Sequence, residues 1–265
     1  RAEVIMSKTK SFVFMVVATS VALLSVQGVF AQDDMMAAAE RNVSFEGRDG
    51  TTLEGYLATP EGSGPHPGVI MIQEWWGLNK DIARLADALA AEGYVVLAPD
   101  AYRGEVAQDA QGAMQLMSNT PQQQIAADMD AALDFLRSHE LVDAERVASM
   151  GFCFGGTQSM YMGTRNPELA AVVTLYGSGP IQDADQLGAM EDAGPVLGIF
   201  GREDNNIPVS EVRGFEQALN EAGVENTITV YDGVGHAFVN SENYDGNGTA
   251  GEAWDQLVAF FAANL

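Results

Sequence analysis

Three residues that together can carry out acyl transfer stand just past three apolar runs of this chain. Cys153, the only cysteine, follows residues 147–150 in Gly151-Phe152-Cys153-Phe154-Gly155. Asp204 follows residues 195–200 in Gly201-Arg202-Glu203-Asp204-Asn205-Asn206-Ile207-Pro208. His236 follows residues 227–231 in Asp232-Gly233-Val234-Gly235-His236-Ala237-Phe238. A thiol that attacks a carbonyl needs a base to take its proton and a third group to orient that base. The two other histidines are poor rivals, since His66 sits in a Gly/Pro loop and His139 near a helix end. Glu203 rivals Asp204 for the acid role, but as its direct neighbour it faces a different way.

The segment around the cysteine reads as a sharp strand-to-helix turn. In such a nucleophile elbow, side chains two residues before and two after the nucleophile collide, so glycine is required at Gly151 and Gly155. The sulfur then sits over the sheet at a helix N-terminus, whose partial positive charge favours thiolate. The same geometry aims the backbone N–H of Phe154 at the oxyanion that attack creates.

Several elements must position these residues. Residues 43–46 and 51–59 flank Asp49-Gly50, a hairpin signal, and residues 61–67 form a loop by composition. Residues 68–72 are a continuous apolar run, the mark of a strand buried on both faces. Asn79 can cap a helix with Ile82, Leu85, Ala86 and Leu89 on one face, and residues 94–98 make the next strand. Thr120-Pro121 with Gln123 predicts a capping box that opens a helix facing the core with Ile125, Met129, Leu133 and Leu136. Strands at 170–176, 195–200 and 227–231 alternate with helices at 209–221 and 251–263. The alternation predicts an α/β fold, a mostly parallel central sheet covered by helices on both faces with an antiparallel hairpin at its edge. In that fold the nucleophile–acid–histidine order found here is the α/β-hydrolase order.

The chain begins at Arg1, and Met6 with Lys8, Lys10 and the apolar residues 12–30 predicts a secretory signal cleaved after Ala31. The expected organisation is residues 1–31 removed, residues 32–42 a flexible leader, and residues 43–265 one domain, exported to the periplasm or beyond. An uncleaved membrane anchor is the competing reading, and the apolar run is barely long enough for it. Cleavage lowers the basic residues from 13 to 10 and the acidic ones from 37 to 36, for a net charge of −26 with Lys80 the only lysine. Such a surface repels nucleic acid and anionic membranes and suits a salt-rich setting. One cysteine excludes an internal disulfide.

With these residues in view, the chain resembles the dienelactone hydrolase family. The resemblance is carried by Gln73-Glu74-Trp75-Trp76-Gly77, Ala98-Pro99-Asp100-Ala101-Tyr102-Arg103-Gly104, Gly151-Phe152-Cys153-Phe154-Gly155-Gly156, Asp204-Asn205-Asn206-Ile207-Pro208 and Gly235-His236-Ala237-Phe238. It implies Cys153 as nucleophile, His236 as base and Asp204 as orienting acid. It also implies that Glu74 contacts the resting thiol and helps convert it to thiolate when substrate arrives, and that the N–H of Trp75 joins that of Phe154 at the oxyanion. Glu74 read by itself ends a buried strand, where a carboxylate needs hydrogen-bond partners, such as loop amides. Arg103 matches an arginine the family uses on its substrate.

The implied activity is cysteine-dependent hydrolysis of small carboxylic esters or lactones, with no cofactor and no metal. The family's reader of a carboxylated substrate is incomplete, since Ala237, Phe238, Val239 and Asn240 supply neither a serine beside His236 nor an arginine four residues on. Trp75 and Trp76 point to an aromatic-lined pocket or, equally, to core packing. The segment from Asn243 imitates a calcium loop, but Trp254 stands where a bidentate glutamate is needed. An alternative of another class keeps the fold and uses Cys153 for redox sensing or binding. The presence of Asp204 and His236 in triad order speaks for the hydrolase.

Overall fold

The computed structural model describes residues 34–265, and the predicted signal segment lies outside the described residues. Eight strands form one sheet in the order β1-β2-β4-β3-β5-β6-β7-β8. They are β1 (Val43–Glu46), β2 (Thr52–Ala58), β3 (His66–Ile72), β4 (Val95–Pro99), β5 (Val142–Phe152), β6 (Ala171–Leu175), β7 (Val196–Gly201) and β8 (Asn226–Tyr231). β1 and β2 pair antiparallel, β2 pairs antiparallel with β4, and every pairing from β4 to β8 is parallel. The α/β-hydrolase architecture with an antiparallel edge is therefore what the strand pattern builds.

The apolar runs explain the layering. β4, β6 and β7 are buried along their whole length, which requires helices on both faces. α1 (Lys80–Ala91) buries Ile82, Leu85, Ala86 and Leu89 as predicted, and its first turn is closed by Asn79 Oδ1 accepting the Ile82 N–H at 3.2 Å. Each such buried Ile or Leu contributes about 1.5–3 kcal/mol. α3 (Gln122–Ser138) likewise buries Ile125, Met129, Leu133 and Leu136. α4 (Phe154–Gly163) follows β5 directly, α6 (Val209–Glu221) follows β7, and α7 (Thr249–Asn264) closes the chain.

The chain leaves β3 outward to β4 and then returns to the other side of β3 as β5, so strand order reverses between β3 and β5. Open parallel sheets bind ligands in the crevice at the carboxyl ends of strands at such a reversal. Glu74 and Trp75 follow β3, and Cys153 follows β5. The topology thus brings them to one edge.

Two expectations need correction, and two helices come as additions. The described part of the leader is docked: Ala38 bridges to Asn79, the Ala39 N–H reaches the Leu78 carbonyl at 3.0 Å, and Arg41 binds Asp100 with Nε and Nη2 at 2.9 and 2.7 Å. Composition suggested flexibility, but these backbone partners and the buried carboxylate pin it. The predicted capping box is also absent. Pro121 takes the cap position of α3 with no side-chain bond, because the Thr120 hydroxyl donates to the Leu116 carbonyl at 2.8 Å. Thr120 instead ends a helix missed in the sequence, α2 (Ala110–Asn119), whose only buried residue is Ala113. A short helix, α5 (Ala184–Leu187), held by Asp183 Oδ1, was missed as well.

Candidate active site

Cys153 turns the chain from β5 into α4 with φ 52° and ψ −116°. Its N–H is held by the Leu175 carbonyl at 3.0 Å and its carbonyl accepts the Thr157 N–H at 3.2 Å. A Cβ on Gly151 would overlap the Gly155 carbonyl, and one on Gly155 would overlap the carbonyls of Ile72 and Gln73. The two glycines are required for the expected reason: the helix and both strands meet with no room for a methyl group.

Asp204 sits in the turn after β7 with its side chain 1% exposed. Oδ1 accepts the N–H groups of Asn206 and Ile207 at 2.8 and 3.2 Å, and Oδ2 lies 2.6 Å from His236 Nδ1. With the carboxylate as acceptor, Nδ1–H donates and leaves Nε2 of His236 free. Glu203, the rival acid, is exposed. His66 and His139 are occupied locally, accepting the N–H groups of Gly64 and Leu141 at 3.0 and 3.3 Å.

Tyr176, which sequence reasoning missed, supports the histidine. It is fully buried with φ 40°, its ring centroid lies 5.3 Å from that of His236, and its hydroxyl donates to the Val239 carbonyl at 3.0 Å. The non-glycine residues at positive φ among those described are Arg103, Cys153, Tyr176 and Ala237. Three of the four belong to this site or adjoin it, so the strain is concentrated where the side chains are aimed. An apolar strand end ending in Tyr-Gly carries no sequence signal for such a role.

The electrostatics run against thiolate in the resting site. Burial and then the charge of Glu74 push the Cys153 thiol up to about 12, while the Phe154 N–H and the Ser178 hydroxyl oppose the rise. Desolvation and the charge of Glu74 act against the N-terminal field that favours thiolate, so the resting site holds the thiol form that the family resemblance implies. Burial, helped by the charge of Asp81, pushes the carboxyl of Glu74 up to about 7. Among the described residues the Glu74 side chain makes no hydrogen bond, to the thiol or to loop amides. Its link to Cys153 is electrostatic.

A cavity of about 510 Å³ opens above the sulfur, lined by Trp75, Phe154 and His236 with Met117, Gln122, Gln158 and Tyr161 among others. Arg103 is not part of it. Its Nε and Nη2 are spent on Asp128 at 2.9 and 2.8 Å, and it lines a separate cavity with Arg48 and Asp49. The reason lies in the turn after β4: Asp100 accepts the N–H groups of Tyr102 and Gly104, and Arg103, at φ 51°, points away toward α3. Trp76 is also outside the cavity, packed edge-on against Trp75 at 5.0 Å with its carbonyl accepting the Ala107 N–H at 2.8 Å. Neither is positioned as the substrate contact the sequence suggested. No group of metal-ligating side chains occurs among the described residues, and Asn243 is used to hold the carbonyl of Phe238 and the N–H of Asn240.

Known proteins are similar to this chain over most of its length. The chain is 36% identical to the protein usf of Aquifex pyrophilus over 232 residues, covering 84% of this chain and 98% of that one. It is 32% identical to an Aquifex aeolicus protein provisionally named a carboxymethylenebutenolidase, again covering 84% and 98%. The crystal structure of a provisionally named dienelactone hydrolase from Klebsiella pneumoniae superposes with a TM-score of 0.74 at 31% identity, over 83% of this chain and 96% of that one. The sequence profile of the dienelactone hydrolase family matches residues 53–265. The chain belongs to the dienelactone hydrolase family of ester and lactone hydrolases.

Proposed function

We propose that this hydrolase uses Cys153 as nucleophile and forms a thioester acyl-enzyme with small carboxylic esters or lactones. The observation that carries the reading is the convergence of the strained Cys153 and the Asp204-bound His236 on one cavity. Nε2 of His236 is the free base, since Nδ1 is tied to Asp204. The thiol rests protonated, so its proton must leave as the substrate binds. Glu74, titrating at about 7, is an acceptor matched to neutral pH that passes the proton on to Nε2 of His236, leaving the imidazolium and a Glu74 carboxylate.

Attack of sulfur on the carbonyl carbon forms the C–S bond and places negative charge on oxygen, to be held by the N–H groups of Phe154 and Trp75. Collapse breaks the C–O bond, and the leaving oxygen takes a proton from the imidazolium of His236. Neutral His236 then removes a proton from water, the water oxygen bonds to the thioester carbon, and the C–S bond breaks to release acid and restore the thiol. The redox alternative is disfavoured because Asp204 and His236 pair beside the same cavity, and a redox thiol needs neither. We further read the chain as exported, with residues 1–31 removed.

The test is turnover of an aryl acetate and a neutral lactone by residues 32–265, beside Cys153→Ala. Loss of turnover in the variant to near background, together with a trapped mass increment of one acyl group on the parent protein, is the expected result. Equal rates from both proteins would overturn the nucleophile.

A further inference from the structure

Among the described residues, none that lines the cavity above Cys153 is a Lys or Arg that could counter an anionic substrate. Its apolar surface comes from Trp75, Phe154, Tyr161 and Met117, and among its polar groups are the neutral amides of Gln122 and Gln158. Those two amides satisfy each other, with Gln122 Nε2 donating to Gln158 Oε1 at 2.6 Å and Gln158 Nε2 returning a bond at 3.3 Å. Every Lys and Arg among the described residues is ion-paired to a carboxylate, and none lines this cavity. The charged groups felt at the sulfur are the carboxylates of Glu74 and Asp204.

A carboxylate entering this space would shed water against groups that are uncharged, and would approach fixed negative charge in a cleft that focuses it. An apolar acyl or aryl group would meet surface that gains from its burial. From this we infer that the site selects esters and lactones whose acyl part is uncharged and apolar, and excludes those bearing a carboxylate. The inference rests on the hydrolase reading above and names its substrate class.

Two measurements test it, and the second does not depend on turnover. The first compares kcat/KM for ring opening of a dienelactone carboxylate and of its methyl ester, which differ only in the capped charge. The methyl ester should be turned over at least tenfold faster, and Met117→Arg, which sets a cation on the wall, should narrow that ratio several-fold. The second compares alkylation of Cys153, the only thiol, by iodoacetamide and by iodoacetate, each rate divided by that of a free thiol reference at the same pH. Iodoacetate should be disfavoured at least tenfold after that division. Equal normalised alkylation rates, or a carboxylate preferred in ring opening, would overturn the selectivity. Discrimination in alkylation without turnover of either lactone would leave the selectivity standing and sink the hydrolase reading instead.

Discussion

Asp204 Oδ2 lies 2.6 Å from His236 Nδ1 while Oδ1 of the same carboxylate accepts two backbone N–H groups of its own turn. One side chain therefore both shapes the loop after β7 and fixes the tautomer of the histidine. The two duties separate by substitution. Asp204→Asn retains an oxygen for the loop but presents an amide to Nδ1, so kcat should fall on the order of 10³–10⁴-fold with little change in melting temperature. Asp204→Ala leaves the N–H groups of Asn206 and Ile207 unpartnered and should in addition cost about 1–3 kcal/mol in denaturant unfolding.

Glu74 should make the fold less stable at high pH. A carboxyl held up to about 7 in the folded chain, against an ordinary value of 4.5, favours folding most when protonated. That contribution is complete below about 4.5 and is lost as pH rises through about 7. Counting the whole shift gives about 3 kcal/mol, and about 2 kcal/mol is the more realistic figure because the side chain keeps some contact with water. Glu74→Gln should thus be more stable than the parent at pH 8, equal to it near pH 4, and slower in turnover. Thermal melts at the two pH values with matched kinetics check all three.

Cys153 should be sluggish toward alkylating reagents when the site is empty. A thiol pushed up from 9.0 to about 12 has roughly a thousandth of the thiolate of an unperturbed cysteine at pH 8. Its alkylation rate should keep climbing tenfold per pH unit beyond pH 9, where a free cysteine levels off. In Glu74→Gln the rate at pH 8 should rise, because the nearest charge opposing thiolate is gone. Mass spectrometry of the singly labelled chain follows both.

Tyr176→Phe tests the support behind the histidine. Removing the hydroxyl leaves the Val239 carbonyl without its donor in a buried setting, at a cost of about 1 kcal/mol or more. The loop that carries His236 then loses an anchor, so kcat should drop several-fold. KM should stay near the parent value, since Tyr176 does not line the cavity.

Salt should stabilise the chain. With the cations of residues 34–265 already paired, the surplus of 35 acidic over 10 basic residues in that range is repulsion that added ions screen. The melting temperature should rise between low salt and about 1 M sodium chloride, with the change traced by calorimetry. A fall would mean that the surface pairs matter more than the repulsion.

What the sequence disclosed and what it concealed divide along physical lines. Buried strands declare themselves because both faces exclude polar residues, so Val95–Pro99 and Val196–Gly201 were readable at once. The elbow was readable because only glycine fits at Gly151 and Gly155, a demand of space that composition records directly. α2 was not readable, since a helix that buries Ala113 alone has no apolar stripe to betray it. Arg103 was misread because its partner Asp128 is 25 residues away in the chain and becomes its neighbour only on folding. The strength of the bias toward thiol was not readable: the helix terminus next to Cys153 is visible in sequence, whereas the depth of its burial and the charge of Glu74 are properties of the assembled site.

The slight anchorage of α2 separates the parts of this enzyme by how freely they can be replaced. The reacting groups hang from hydrogen-bonded strands and from turns that admit no extra methyl, so exchanging those segments between relatives would break the sheet. Residues 110–119 contribute Met117 to the cavity while fully burying only Ala113 and laying Leu116 partly against the core. A graft of equal length there should therefore remodel the mouth of the site at little cost to the scaffold.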